Sequence, residues 1–167
     1  MTLRFLIPVL TGLTLAGAAQ ADTFSATVTG ADGTNHGLVT AAETPSGVMH
    51  LLLKLTGLPQ GSLAVHIHET GACDGPDFQT AGGHLAVEGQ DHGVMAVNGP
   101  HVGDLPNIHV PASGDVTVEY FAPDLSVDLL MDDDGSAFMI HAHADDHTSQ
   151  PAGDAGTRIA CGVFKSE

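Results

Sequence analysis

Basic residues are nearly missing from this chain. Four Lys and Arg stand against 20 Asp and Glu, for a formal charge of −16. One of the four, Arg4, lies close to the N-terminus, leaving only Lys54, Arg158 and Lys165 further on. Nucleic acid and anionic membranes are poor partners for such a surface, and its simplest use is solubility. Tryptophan is absent, and Cys73 and Cys161 are the only cysteines. Apolar runs are short: after the first twenty or so residues none approaches the length needed to span a bilayer. Sustained helical periodicity with caps is also missing beyond that point, which argues against a helical fold.

What is present divides the chain in two. Residues 1–21 read as a secretory signal peptide, with Arg4, an apolar stretch from Phe5 to Ala18 and the small-x-small signal Ala19-Gln20-Ala21. Cleavage before Asp22 and export to the bacterial periplasm are the expectation. Residues 22–167 are expected to form one domain, large enough for a core of its own. Short apolar or alternating segments, Phe24 to Val28, Val48 to Leu55, Leu63 to His68, Val116 to Phe121, Ala137 to His141 and Ile159 to Phe164, are separated by Gly, Pro, Asp and Asn clusters. They predict an all-β, antiparallel sandwich or barrel. Two long segments interrupt this rhythm, Glu69 to about Pro106 and Ala144 to Thr157. Loops this long in a compact domain are functional or tied down. Two cysteines in an exported chain most simply form one disulfide, which removes sulfur from any list of metal ligands.

Seven side chains carry the chemistry: His66, His68, His84, His92, His101, Asp104 and His141. In a strand, residues two apart share a face, so His66 and His68 can reach one ion. His141 ends another predicted strand and can bring a third nitrogen. The spacings of 8, 9 and 3 from His84 through His92 and His101 to Asp104 offer three imidazoles and a carboxylate, a closed tetrahedral zinc set. If His84 is lent to a second ion, His66, His68, His84 and His141 make a four-imidazole set with room for a fifth ligand, which suits Cu(II). Seven side chains then fill eight ligand positions.

These residues and their surroundings resemble the copper/zinc superoxide dismutases. The matching stretches are His66-Ile67-His68-Glu69, Cys73, Ala81-Gly82-Gly83-His84, His92-Gly93, His101-Val102-Gly103-Asp104-Leu105-Pro106-Asn107, Ile140-His141-Ala142, Ala144-Asp145-Asp146 and Gly156-Thr157-Arg158-Ile159-Ala160-Cys161-Gly162-Val163. The short second loop is similar to the bacterial periplasmic branch. The resemblance implies an eight-stranded antiparallel Greek-key barrel with two long functional loops. It implies one copper on His66, His68, His84 and His141, and one zinc on His84, His92, His101 and Asp104, with His84 as the bridge. It further implies that Asp145 links His66 to His92, that Arg158 stands beside the open copper position, and that Cys73 pairs with Cys161. The implied reaction is dismutation of superoxide to dioxygen and hydrogen peroxide, with His84 and Arg158 as the residues that carry it.

The chain departs from the family pattern after His84, where Leu85-Ala86-Val87 replaces the usual Phe-Asn-Pro turn, and at His143, which replaces a usual Gly. His143 and His147 are read as solvated loop residues, with copper uptake as the sharper alternative, and His36, His50 and His109 as structural or exposed. The partners expected are superoxide, a copper donor protein and, for a homodimer rather than a monomer, a second copy; nucleic acid and membrane are not expected. The rival function is a non-catalytic periplasmic copper/zinc-binding protein on the same fold.

Overall fold

The structure, a computed structural model, describes residues 22–167. The predicted signal peptide lies outside the described residues. Ten strands appear: β1 (Thr23–Gly30), β2 (Asn35–Glu43), β3 (Met49–Leu55), β4 (Gly61–Leu63), β5 (Val65–His68), β6 (Ile108–Val110), β7 (Val116–Ala122), β8 (Ala137–His141), β9 (Arg158–Val163) and β10 (Lys165–Ser166). All pairings between strands are antiparallel. Eight strands share one sheet, in the order β5-β8-β9-β1-β2-β3-β7 with β10 added to β1; β4 and β6 form a separate ribbon. The all-β antiparallel expectation is met.

Alternation explains which face each strand buries. In β1, Phe24, Ala26 and Val28 point inward, and in β3 Met49, Leu51, Leu53 and Leu55 do the same while Lys54 is exposed. With Val39, Ile67, Phe138 and Ile140 they form one contiguous core. Each such aliphatic side chain contributes roughly 1.5–3 kcal/mol on full burial. β5 and β8 are buried at every residue, so both of their faces are covered. Their inner face meets the core; their other face carries His66 and His68 and the small cluster of Phe78, Ala81, Ala137, Met139 and Cys161.

All six predicted strands are found, Ala137 to His141 with the predicted bounds and the others with shifted ends, and one divides: the run from Leu63 to His68 breaks at Ala64 into β4 and β5. β2, β6, β10 and the short helix α1 (Val127–Leu130, with Ser126 capping the Leu129 N–H) were not anticipated. Both long loops are observed where expected, the first broken only by a 3-10 turn at Gln79–Ala81. Cys73 and Cys161 are joined in a disulfide that fastens the first loop to β9.

The first loop also covers a sheet edge. β5 has β8 on one side only, and on the other it bonds loop segments instead of a strand. Ile67 N–H donates to Gly103 O at 2.9 Å, Leu85 N–H to Ile67 O at 2.8 Å, and Glu69 N–H to Gly83 O at 3.0 Å. The approach needs glycine at 103, where a Cβ would run into the Ile67 carbonyl. Leu85 packs into the core at this point, so the departure from the family turn after His84 still supplies a buried apolar anchor.

Candidate metal centre

The edge contacts explain how distant residues meet. His84 is bridged to His68 and Asp104 to His66, main chain to main chain, across the free edge of β5. His141 ends β8, and its N–H donates to Ala64 O at 2.9 Å beside β5. Arg158 starts β9 in register with His141. His66, His68, His84 and His141 therefore offer ring nitrogens that all lie within 4.8 Å of one another, and so do the donor atoms of His84, His92, His101 and Asp104. Both predicted sets are brought together, and His84 belongs to each.

The individual nitrogens are sorted by their partners. His66 Nε2 faces Asp145 Oδ2 at 3.0 Å and His68 Nδ1 faces Gly82 O at 3.1 Å. Since a carboxylate and a carbonyl only accept, these nitrogens carry the protons. The opposite nitrogens, His66 Nδ1 and His68 Nε2, are buried without hydrogen-bond partners, as are His84 Nε2 and both nitrogens of His141. Buried polar atoms normally have partners, and four rings aiming unpaired nitrogens at one point fit a cation. In the second set, His84 Nδ1, His92 Nδ1 and His101 Nδ1 converge on Asp104 Oδ1 at 2.8, 3.1 and 3.3 Å. Asp104 Oδ2 is occupied by the N–H groups of Gly93 and His101.

Asp145 joins the sets from behind. Its Oδ2 faces His66 and its Oδ1 faces His92 Nε2 at 3.0 Å, while the His147 N–H donates to Oδ1 at 2.6 Å. Asn107 clamps its main chain in both directions, accepting from Asp145 N–H at 2.8 Å and donating to Asp145 O at 2.9 Å. Gly153, at φ +68°, stands where any Cβ would strike the Asp145 carboxylate.

Protonation favours metal. Burial pushes His68 down to about 2, helped by its neighbours His84 and Arg158. His141 falls to about 3 through burial and then the nearby His66 and His84 rings. His84 falls to about 4 because burial outweighs its hydrogen bond to Asp104. Burial works to raise Asp104 and Asp145, but hydrogen bonds from His84 and Gly93 to the first, and from His66, His92 and His147 to the second, hold both well below the usual carboxylate range. At neutral pH these are neutral imidazoles and ionised carboxylates, the forms that bind metal.

A cavity of about 370 Å³ opens onto the first set, lined by His68, His84, His141, Pro151, Ala152 and Arg158 among others. Arg158 is held by Phe78 O at 2.7 Å and Gly82 O at 2.6 Å. Burial lowers its pKa somewhat, while Asp77 acts to raise it. A larger hollow of about 470 Å³ beside the disulfide includes Thr27, Phe78 and Lys165 in its wall but neither metal set, so the chemistry lies in the smaller one.

The remaining histidines are accounted for locally. His36 bonds Thr56 O, His50 pairs with Glu119 and stacks on Phe121, and His109 bonds Ser62. His143 packs over Gly156, and His147 accepts from Asn107 Nδ2 at 3.2 Å. Neither of the last two joins a metal set among the described residues. Neither Asn107 nor Gln150 has a role legible in the sequence, because a polar loop residue carries no local signal of the main-chain bonds it makes.

An antiparallel β-fold with two contiguous donor sets that share one imidazole defines a candidate dinuclear metal-binding protein. A family model described as copper/zinc superoxide dismutase matches residues 35–164. Cu-Zn superoxide dismutase from Caulobacter vibrioides is 43% identical over 84% of this chain and 84% of its own length. Cu-Zn superoxide dismutase 1 from Aquifex aeolicus is 44% identical over 74% of this chain and 76% of its own length. The crystal structure of a SOD-like protein from Bacillus subtilis superposes with a TM-score of 0.80 at 37% identity, covering 83% of this chain and 96% of that one. The chain belongs to the copper/zinc superoxide dismutase family.

Proposed function

We propose that this chain dismutates superoxide, with copper on His66, His68, His84 and His141, and zinc on His84, His92, His101 and Asp104. The observation that carries the reading is the placement of His84, whose Nε2 faces the first set while its Nδ1 faces the second. The first set opens to the cavity, as a reactive ion requires, whereas the second is closed by its fourth ligand. Copper held by His66, His68, His84 and His141 would supply the one-electron redox chemistry by which two superoxides and two protons become dioxygen and hydrogen peroxide.

The protein's own part is to attract, orient and protonate. Arg158 keeps further N–H donors free beyond the two that bond carbonyls, and its fixed charge draws a small anion to the mouth of the first set. Asp145 keeps the protons of His66 and His92 on their outer nitrogens, so that Nδ1 of each ring is left for metal. His84 Nε2 is the atom placed to hold a proton for the departing product while Nδ1 keeps the ring anchored beside Asp104.

Residues 1–21 act as a signal peptide on this reading and residues 22–167 as the enzyme, in the bacterial periplasm. The disulfide suits an oxidising compartment. The exported chain draws its copper from a donor protein and works as a monomer or homodimer. Metal analysis and a dismutase assay on parent and His84→Ala test the assignment. The parent should hold one copper and one zinc per chain and be active. His84→Ala should lose activity and weaken both ions together; a variant that loses one ion and keeps the other intact would refute the shared role.

A further inference from the structure

We infer that Gln150 is a positioning residue for His92, and that through it the second loop ties retention of the zinc-set ion to the lip of the substrate cavity. This rests on the assignment of His92 to zinc made above.

His92 lies in the first loop, outside every strand, so no ladder holds its peptide. Gln150 supplies what a neighbouring strand would. Its Oε1 accepts from the His92 N–H at 2.8 Å, and its Nε2 donates to the His92 carbonyl at 2.8 Å. A further bond from Nε2 to Thr148 O at 3.0 Å uses the second amide hydrogen. With two carbonyls on one side and an N–H on the other, only one orientation of the amide satisfies all three. Only a primary amide can make this pattern: a carboxylate cannot donate, an ammonium or guanidinium cannot accept, and Asn is one methylene short.

The ring and the peptide of His92 are thus held by different residues of one loop. Asp145 aims the ring through Nε2, and Gln150 sets the position of the main chain from which the ring hangs. A third stitch lies just beyond, where Met95 N–H donates to His147 O at 3.1 Å. The residues that follow Gln150, Pro151 and Ala152, line the cavity with Arg158. A shift of His92 therefore reaches the mouth of the first set within two residues of the clamp.

The test uses the mature chain loaded with copper and with cobalt in place of zinc, since the visible absorption of cobalt reports the geometry of its ligands. Gln150→Met keeps length and removes both bonds to His92. Release of cobalt or zinc to a chelator should quicken roughly tenfold, the cobalt bands should shift, and the melting temperature should fall in the loaded protein more than in the metal-free one. Gln150→Glu keeps the acceptor but sets a carboxylate against the His92 carbonyl, and it should release the ion at least as fast. If both variants leave release and cobalt bands at parent values, or lower the melting temperature equally with and without metal, Gln150 does not position His92. If the parent itself takes up no cobalt, the assignment of His92 fails instead.

Discussion

Removing the Asp145 carboxylate should cost the loop-borne ion more than the strand-borne one. Asp145→Ala deletes the acceptor for two buried N–H groups, His66 Nε2 and His92 Nε2, each 3.0 Å away. A hydrogen bond to a charged group is worth about 1.5–3 kcal/mol. Each ring left without it can move its proton to Nδ1, the nitrogen required by metal. The two rings differ in what else holds them. His66 sits in β5, whose main chain is paired to β8 on one side and to the first loop on the other. His92 has no strand ladder, its main chain being held by the Gln150 side chain of the second loop, and loss of the carboxylate frees its outer nitrogen. Ligand partners of this kind are worth 10–100-fold in metal affinity, and tenfold is about 1.4 kcal/mol, so the estimates agree. The full 10–100-fold loss is expected in zinc affinity and a smaller one in copper affinity. Competition titrations of parent and variant with chelators of known affinity, read by metal analysis, would measure both. Loss of copper with zinc retained would refute the argument that the carboxylate matters most where the main chain is least constrained.

Further outcomes follow from other parts of the structure. The disulfide joins residues 88 apart in sequence, and a loop of that size is worth about 4–5 kcal/mol in the chain-entropy model; paired Cys73→Ser and Cys161→Ser changes should lower the unfolding free energy in urea by that order. Arg158→Met should reduce the rate at low superoxide by roughly tenfold or more, within the range attributed to electrostatic attraction. Because Arg158 is the one cation lining the mouth of a chain of formal charge −16, added salt should leave the parent rate flat or raise it; a steep fall would show long-range steering by other groups. In the metal-free protein, His68, His84 and His141 have folded pKa values of about 2, 4 and 3 against 6.5 when unfolded. The unfolded chain thus binds protons first as pH falls, and each depressed histidine removes about 1.4 kcal/mol per pH unit below 6.5. Three together remove about 4 kcal/mol per unit until His84 protonates in place, and Asp104 and Asp145 add to the loss below the ordinary carboxylate range. Circular dichroism of the chelated protein should show acid unfolding well above the pH at which isolated carboxylates titrate, and bound metal should move it lower.

The sequence was most legible where side chains repeat with the period of a strand. The alternation in β1 and the apolar run of β3 identified core strands, and His66 and His68 two apart identified a shared face. β2 was missed because Gly37 and Ala41 give its inward face little bulk, although Val39 and Ala41 are fully buried. β6 is three residues long, too short for alternation to register. At the metal centre, ligand types and spacings were visible because few other chemistries need so many histidines. The supports were not: the clamps of Asn107 on Asp145 and of Gln150 on His92 join a side chain to a main chain far along the sequence, and nothing local in composition marks such a bond. Gly153 is legible only afterwards, as the one residue small enough to sit against the Asp145 carboxylate.

The first loop lies along β5 like a missing strand, attached to it and to Glu69 just beyond by three main-chain hydrogen bonds. An uncovered strand edge is a template on which another chain can pair. The loop is therefore also a guard against self-association, and on the proposed assignment its hold would depend on an ion drawing His84, His92, His101 and Asp104 together. A metal-free chain would carry this strand edge behind a cover fastened chiefly by the disulfide and those few bonds, so metal supply would decide solubility before it decides catalysis.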